Sequence, residues 1–265
     1  MRYWPVLFLL LLAAPPGRLT AAPQAPLFDP PTHLRFSAQE VSEAARARGE
    51  MAEPTAAPCD PACLRVQRIW QRLLPIALAQ PHAQAITPHL QVTVAGSSPH
   101  ARADGRVVFP LALAESLALS DAEIAFVLAH EMVHVLLEHE REILTAADAL
   151  MRPDVRRTAD DIYGALDHDL GLSLKTGFLM QAAELEADRF GLQLAALAGY
   201  EPAAQLSALD KLLDRRGPRR LLLPTHPSDA ERLQHLRDAL PLARAIYCRA
   251  AADDEIPPPA GCTPR

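Results

Sequence analysis

Ser120-Asp-Ala-Glu-Ile-Ala-Phe-Val-Leu-Ala-His-Glu-Met-Val-His134 is the stretch on which the reading of this chain turns. Ser120 is a good N-cap and Glu123 stands in capping-box position, so each side chain can bond the other's backbone N–H. Ile124, Val127 and Leu128 follow at helical spacing, which predicts a helix running through both histidines. Residues four apart share a helical face, so the imidazoles of His130 and His134 can reach one ion while Glu131 points at a water on it. Such a set suits hydrolysis, because zinc lowers the pKa of its water to about 7 and a carboxylate can then take the proton. The flanking residues, Ile124 to Val127 and Val133 to Leu137, are apolar. Two imidazoles on a buried helix need polar partners, and a metal supplies one to each.

A catalytic zinc takes a third protein ligand and leaves a further position open. The metzincin arrangement would require Gly and His where Leu137 and Glu140 stand. Further on, Glu184-Leu-Glu-Ala-Asp188 puts Glu184 and Asp188 on one helical face, with Glu186 pointing elsewhere. Glu184 can therefore bind the ion while Asp188 accepts a hydrogen bond from a ligand histidine. Alone, an acidic pair at this spacing marks a solvated helix face, and it is the histidine motif that changes its meaning. Glu138, one further turn along the motif helix, competes for the third place. One helix would then supply all three bonds, a strained geometry.

Working outward, Leu64, Ile69, Leu73 and Leu74 recur at helical spacing before Pro75, predicting an amphipathic helix at the start of a compact domain near Cys59. Leu90, Val92 and Val94 alternate as a strand would, and Asp104-Gly105 signals a hairpin ahead of Val107-Val108-Phe109. Helices are expected from about Ala146 to Leu166, Lys175 to Ala198, Pro202 to Arg215 and Pro227 to Leu240. The acidic segment with Asp160, Asp161, Asp167 and Asp169 reads as surface in preference to a cover for a cleft. No internal repeat is visible. The expected fold is α+β and mostly α, with a small antiparallel sheet.

At 265 residues, 49% hydrophobic and 22% charged with a net charge of -6, the composition is that of a globular protein. Basic residues are interspersed with acids, which argues against nucleic acid as a partner, and the cluster Arg215, Arg216, Arg219 and Arg220 reads as a solvated connection around Gly217-Pro218. Met1-Arg2-Tyr3-Trp4-Pro5, then apolar Val6 to Ala14, then small residues to Ala22 form a signal-peptide pattern, with cleavage expected near Ala21 and an uncleaved anchor as the alternative. Residues 23–58, rich in Pro and Ala, read as a lead or linker carrying a short helix from Ser37 to Arg48, and residues 59–265 as the domain. The four cysteines, Cys59, Cys63, Cys248 and Cys262, favour disulfides in an oxidising compartment, periplasmic or extracellular, and three pairings are open.

Three segments in order, Asp121 to His134, Glu184-Leu-Glu-Ala-Asp-Arg-Phe-Gly191 and Thr225-His-Pro-Ser-Asp-Ala-Glu-Arg232, resemble gluzincin metallopeptidases related to HtpX and to the CAAX prenyl endopeptidase. The resemblance covers roughly Leu64 to Leu240. It implies a zincin-type (minigluzincin) fold around the HExxH helix, one Zn2+ per chain on His130, His134 and Glu184, Glu131 as general base, and proteolysis of misfolded or membrane-associated proteins. It further implies that His226 lies near the metal, stabilising the oxyanion or taking the open site, that Arg232 supports this region, and that Val107, Val108 and Phe109 pair with an extended substrate. Unlike its HtpX-like relatives, the chain shows no multiple membrane spans, which allows for peripheral membrane contact, and no repeat-type partner domain. A second functional reading is a zinc-holding chaperone or assembly factor with little proteolysis. A third is a structural helical protein without metal.

Overall fold

The computed structural model describes residues 33–47, 60–80, 86–94, 96, 98–152, 154–216, 228–253 and 262. The signal-like segment, Cys59, Arg219 and Arg220 of the arginine cluster, and His226 lie outside them. Helix α1 (Ala38–Ala47) precedes α2 (Pro61–Leu78), and strands β1 (His89–Thr93), β2 (His100–Ala101) and β3 (Arg106–Pro110) follow. After these come α3 (Leu111–Ser116), α4 (Asp121–Leu136), α5 (His139–Leu150), α6 (Ala159–His168), α7 (Leu170–Leu197), α8 (Ala203–Arg216) and α9 (Asp229–Asp253). Among the described residues, no helix is long and apolar enough to cross a membrane.

Helix α4 is the axis of the fold. Its capping box forms as the sequence predicts, with Ser120 N–H donating to Glu123 Oε2 at 2.7 Å and Glu123 N–H donating to Ser120 Oγ at 3.3 Å. Ile124, Ala125, Leu128, Ala129, Met132 and Val133 are completely buried, as expected of a helix apolar on nearly every side. It packs on α2 and α7, and the shared core joins Leu73 of α2, Leu128 and Met132 of α4, and Ala187 and Leu194 of α7. A second cluster joins Phe126 of α4 to Leu209 of α8 and Leu236 of α9. The third seats the lead: Phe36, Val41 and Ala44 pack on Leu144, Ala147 and Ile162, so the short helix expected there is folded onto α5 and α6.

The sheet is mixed, which corrects the expectation of an antiparallel one. Its order is β1-β3-β2, with β1 parallel to β3 and β2 antiparallel to it. The Asp104-Gly105 turn forms, Gly105 taking φ +91° while its N–H donates to Arg102 O, but the strand it returns along is His100–Ala101. Strands β1 and β2 thus flank β3 on opposite sides. Val107, Val108 and Phe109 therefore lie buried in the central strand, Val107 and Val108 paired on both sides and Phe109 with Val92 of β1. Val107 and Val108 have no free edge for a substrate strand and Phe109 is completely buried, which corrects their assignment to substrate pairing.

The helix expected from about Ala146 to Leu166 is two helices. The residue before a proline is kept from the α region, and ahead of Pro153 the chain leaves α5 at an extended Met151, restarting at Thr158, which forms a second capping box with Asp161. At the other end α9 continues through Pro241, well past Leu240, and Cys248 on it is bonded to Cys262.

Candidate metal centre

Two helices build the centre. From α4 come His130, Glu131 and His134; from α7 come Glu184, Asp188 and, one turn further, Gly191. The approach of α7 to α4 depends on that glycine, because a Cβ at Gly191 would lie 2.9 Å from both Cα and N of His130. The two Nε2 atoms of His130 and His134 are 3.1 Å apart. Glu184 faces both, Oε2 at 3.9 Å from His130 Nε2 and Oε1 at 3.8 Å from His134 Nε2. One ligand atom from each of the three lies within 4.8 Å of the others.

The outer partners fix what those nitrogens carry. His130 Nδ1 lies 3.0 Å from Asp188 Oδ1, and a fully buried carboxylate there makes Nδ1 the protonated nitrogen, leaving a lone pair on Nε2. Asp188 is held by Arg232 of α9, whose Nε and a terminal nitrogen donate to its two oxygens at 2.8 and 2.7 Å. The other terminal nitrogen of Arg232 is 3.0 Å from Glu184 Oε2. On the second ligand, His134 Nδ1 meets Nδ1 of His139 at 2.8 Å, and His139 Nε2 lies 3.4 Å from Glu186 Oε2.

Electrostatics bear differently on the two rings. Burial, reinforced by the neighbouring His130, His139 and Arg232, holds the pKa of His134 well below the ordinary histidine value, so its ring is neutral. Burial also works against the charged form of His130, but the hydrogen bond and charge of Asp188 outweigh it and raise that pKa. Asp188 is itself lowered, because Arg232 and His130 overcome the effect of burial. Burial pushes the Glu131 carboxyl up to about 7; His130, the Ala101 N–H and Arg232 oppose the rise, and Glu184 adds to it.

The donor set fits a divalent cation. Two imidazole lone pairs and a carboxylate converge, acceptors all, with the N–H of each ring turned away toward an outer partner. A cation is what three converging acceptors require, and two histidines with one glutamate are a set found in catalytic zinc sites. Glu138 does not take part: α4 ends before it, its backbone is left-handed at φ +54°, and its carboxylate pairs with Arg141.

The centre opens on a cleft of about 410 Å³. His130, Glu131, His134 and Glu184 line it, with His100 and Ala101 of β2 on one side and Met180, Leu209 and Leu213 of α7 and α8 on another. Hairpin and cleft are tied together, since Glu140 at the start of α5 accepts from the Ala103 N–H at 2.8 Å. The sequence reading brought together His130, Glu131, His134, Glu184, Asp188 and Arg232, and all of them meet here. It missed His139, and it turned Glu186 away from the centre, whereas Glu186 is the partner of His139.

The sequence pattern of Peptidase family M48 matches residues 64–240. The chain is 31% identical over 128 residues to Metalloprotease LoiP of Escherichia coli strain K12, a match covering 46% of this chain and 51% of that protein. It is 30% identical over 154 residues to the mitochondrial metalloendopeptidase OMA1 of Saccharomyces cerevisiae, covering 54% of this chain and 44% of that one. Over 158 residues it is 30% identical to the beta-barrel assembly-enhancing protease of Escherichia coli strain K12, covering 51% and 30% respectively. The chain thus spans about half the length, or less, of these relatives. With the family pattern lying across both halves of the metal centre and Arg232 beyond them, this chain belongs to peptidase family M48.

Proposed function

We propose that this chain is a zinc-dependent metalloendopeptidase. The observation that carries the reading is the convergence of His130, His134 and Glu184 beside the buried carboxyl of Glu131 at the floor of a cleft. One zinc ion on those three residues would polarise a scissile carbonyl and acidify a water. With zinc there, Glu131 would be the group placed to accept a proton from the attacking water and return it to the leaving amine. A cation next to it favours the ionised form that a base needs and offsets the burial that raises its pKa. Asp188 and Arg232 hold the His130 ring and the Glu184 carboxylate in place. His226 is assigned the task of bearing charge on the oxyanion. Support for this is its place just ahead of α9, the helix whose Arg232 reaches Glu184.

The substrate is an extended polypeptide laid along β2, the sheet edge that borders the cleft and whose Ala101 N–H meets Glu131. Misfolded or envelope proteins are the proposed source, in keeping with the relatives' names, which include a beta-barrel assembly-enhancing protease. Export is proposed from the N-terminal apolar segment and agrees with the Cys248–Cys262 disulfide.

Glu131→Gln tests the reading. The variant should bind one zinc per chain, as the wild type does, and fail to cleave an unfolded substrate such as casein. Undiminished cleavage would remove Glu131 from the role of base. A chaperone that merely holds zinc would show no cleavage in the wild type either, and no observation favours it.

A further inference from the structure

Beside the ligand set runs a hydrogen-bonded chain that the proposed chemistry leaves unused: His134, His139 and Glu186. We propose that His139 and Glu186 are positioning residues for the second metal ligand, a relay that fixes the tautomer and ring orientation of His134. This rests on the metal-site reading above and extends it to residues outside the ligand set.

The geometry permits one assignment of protons. For His134 to present a lone pair at Nε2, 3.1 Å from His130 Nε2 and facing Glu184, its Nδ1 must carry the hydrogen. That hydrogen points at His139 Nδ1, 2.8 Å away, which must then be the acceptor. His139 consequently carries its own hydrogen on Nε2, and the atom facing that nitrogen at 3.4 Å is a carboxylate oxygen, Glu186 Oε2. Each link thus meets the opposite kind of partner, from an anion at the rim to a lone pair at the centre. The His139 side chain is only 3% exposed, so water is a poor substitute for it.

The backbone shows how a residue five positions on can serve this purpose. On a continuous helix His139 would lie about 140° around from His134 and could not reach its ring. Helix α4 instead stops at Leu136, and Glu138 adopts φ +54° and starts α5. That turn folds the first residue of α5 back onto α4. His130 thus has a buried carboxylate behind it, and His134 has a histidine backed by a half-exposed one.

The test is zinc affinity, measured by competition with a chromophoric chelator, together with melting of the metal-free protein. His139→Phe keeps an aromatic ring but removes the acceptor, and should weaken zinc binding 10- to 100-fold, roughly the loss expected when the partner of a ligand histidine is removed. His139→Asn places an amide oxygen near the Nδ1 position and should recover most of the loss. Glu186→Ala, at a half-exposed site that packing does not depend on, should give a smaller loss and should shift the visible spectrum of the cobalt-substituted protein. Equal affinity in wild type, His139→Phe and Glu186→Ala overturns the proposal. So does a His139→Asn variant as weak as His139→Phe, since the effect would then follow ring packing. A wild type that binds no zinc overturns the metal site itself, whereas one that binds zinc with every variant unchanged overturns only the relay.

Discussion

Arg232 holds Asp188 by two parallel hydrogen bonds, 2.8 and 2.7 Å long, in a place where the carboxylate has no exposure to solvent. Arg232 is the permanently charged partner of Asp188, and His130 depends on that carboxylate for its tautomer. Removing one member of such a pair strands a buried charge, at a cost of about 3–5 kcal/mol. Arg232→Ala should therefore lower the unfolding free energy by that order in denaturant titration and weaken zinc binding as well. Arg232→Lys, which keeps the charge but loses the fork, should fall between the two.

Gly191 makes a second prediction. Its missing Cβ is what admits the His130 backbone, and added bulk in a packed core costs about 1–3 kcal/mol. Gly191→Ala should melt at a lower temperature and bind zinc more weakly, because α7 must move away from α4 and take Glu184 with it. An unchanged melting curve together with unchanged zinc affinity would show that the helices can separate at no cost.

Acid should also act at the start of α4. Burial opposes the charge on Glu123, yet hydrogen bonds from Lys211, the Ser120 N–H and Ser207 outweigh it and hold the carboxyl at about 2, against an ordinary 4.5. A carboxyl whose pKa falls on folding stabilises fully above the unfolded value and loses that contribution as the pH drops through the folded one. Up to about 3 kcal/mol is involved. Wild type should exceed Glu123→Gln in stability by something of that order near neutral pH, and the gap should close between about pH 4.5 and 2. A gap that stays constant over this range in equilibrium unfolding would refute the assignment.

Zinc itself should stabilise the fold. An ion that binds the native state alone, at a hundredfold excess over its Kd, adds about 2.7 kcal/mol. Chelation should lower the melting temperature and abolish casein cleavage, and restoring zinc should reverse both. His134→Ala should show neither response, its melting being indifferent to added zinc.

The parts of the fold that sequence reveals are those decided locally. The Ser120–Glu123 cap and the period of Ile124, Val127 and Leu128 set α4, and an i to i+4 spacing is enough to align His130 with His134 and Glu184 with Asp188. Partnerships between distant segments left weaker marks. Alternation showed that residues 89–93 form a strand, but alternation is blind to which neighbour a strand chooses, and β1 runs parallel to β3 where an antiparallel sheet was expected. His139 was hidden for a related reason. Its spacing from His134 is wrong for one helical face, and only the left-handed backbone at Glu138, a conformation that glutamate rarely adopts and that no residue type there announces, makes it right.

The placement of Arg232 on α9 has a consequence for when such a protein can act. A chain emerging from the ribosome, or refolding from its N-terminal side, can assemble α4 against α7 before α9 has docked. Until then Asp188 has no counter-ion, so the His130 side of the centre stays unorganised. The metal centre would thus be complete only once α9 has brought Arg232 to Asp188 and Glu184.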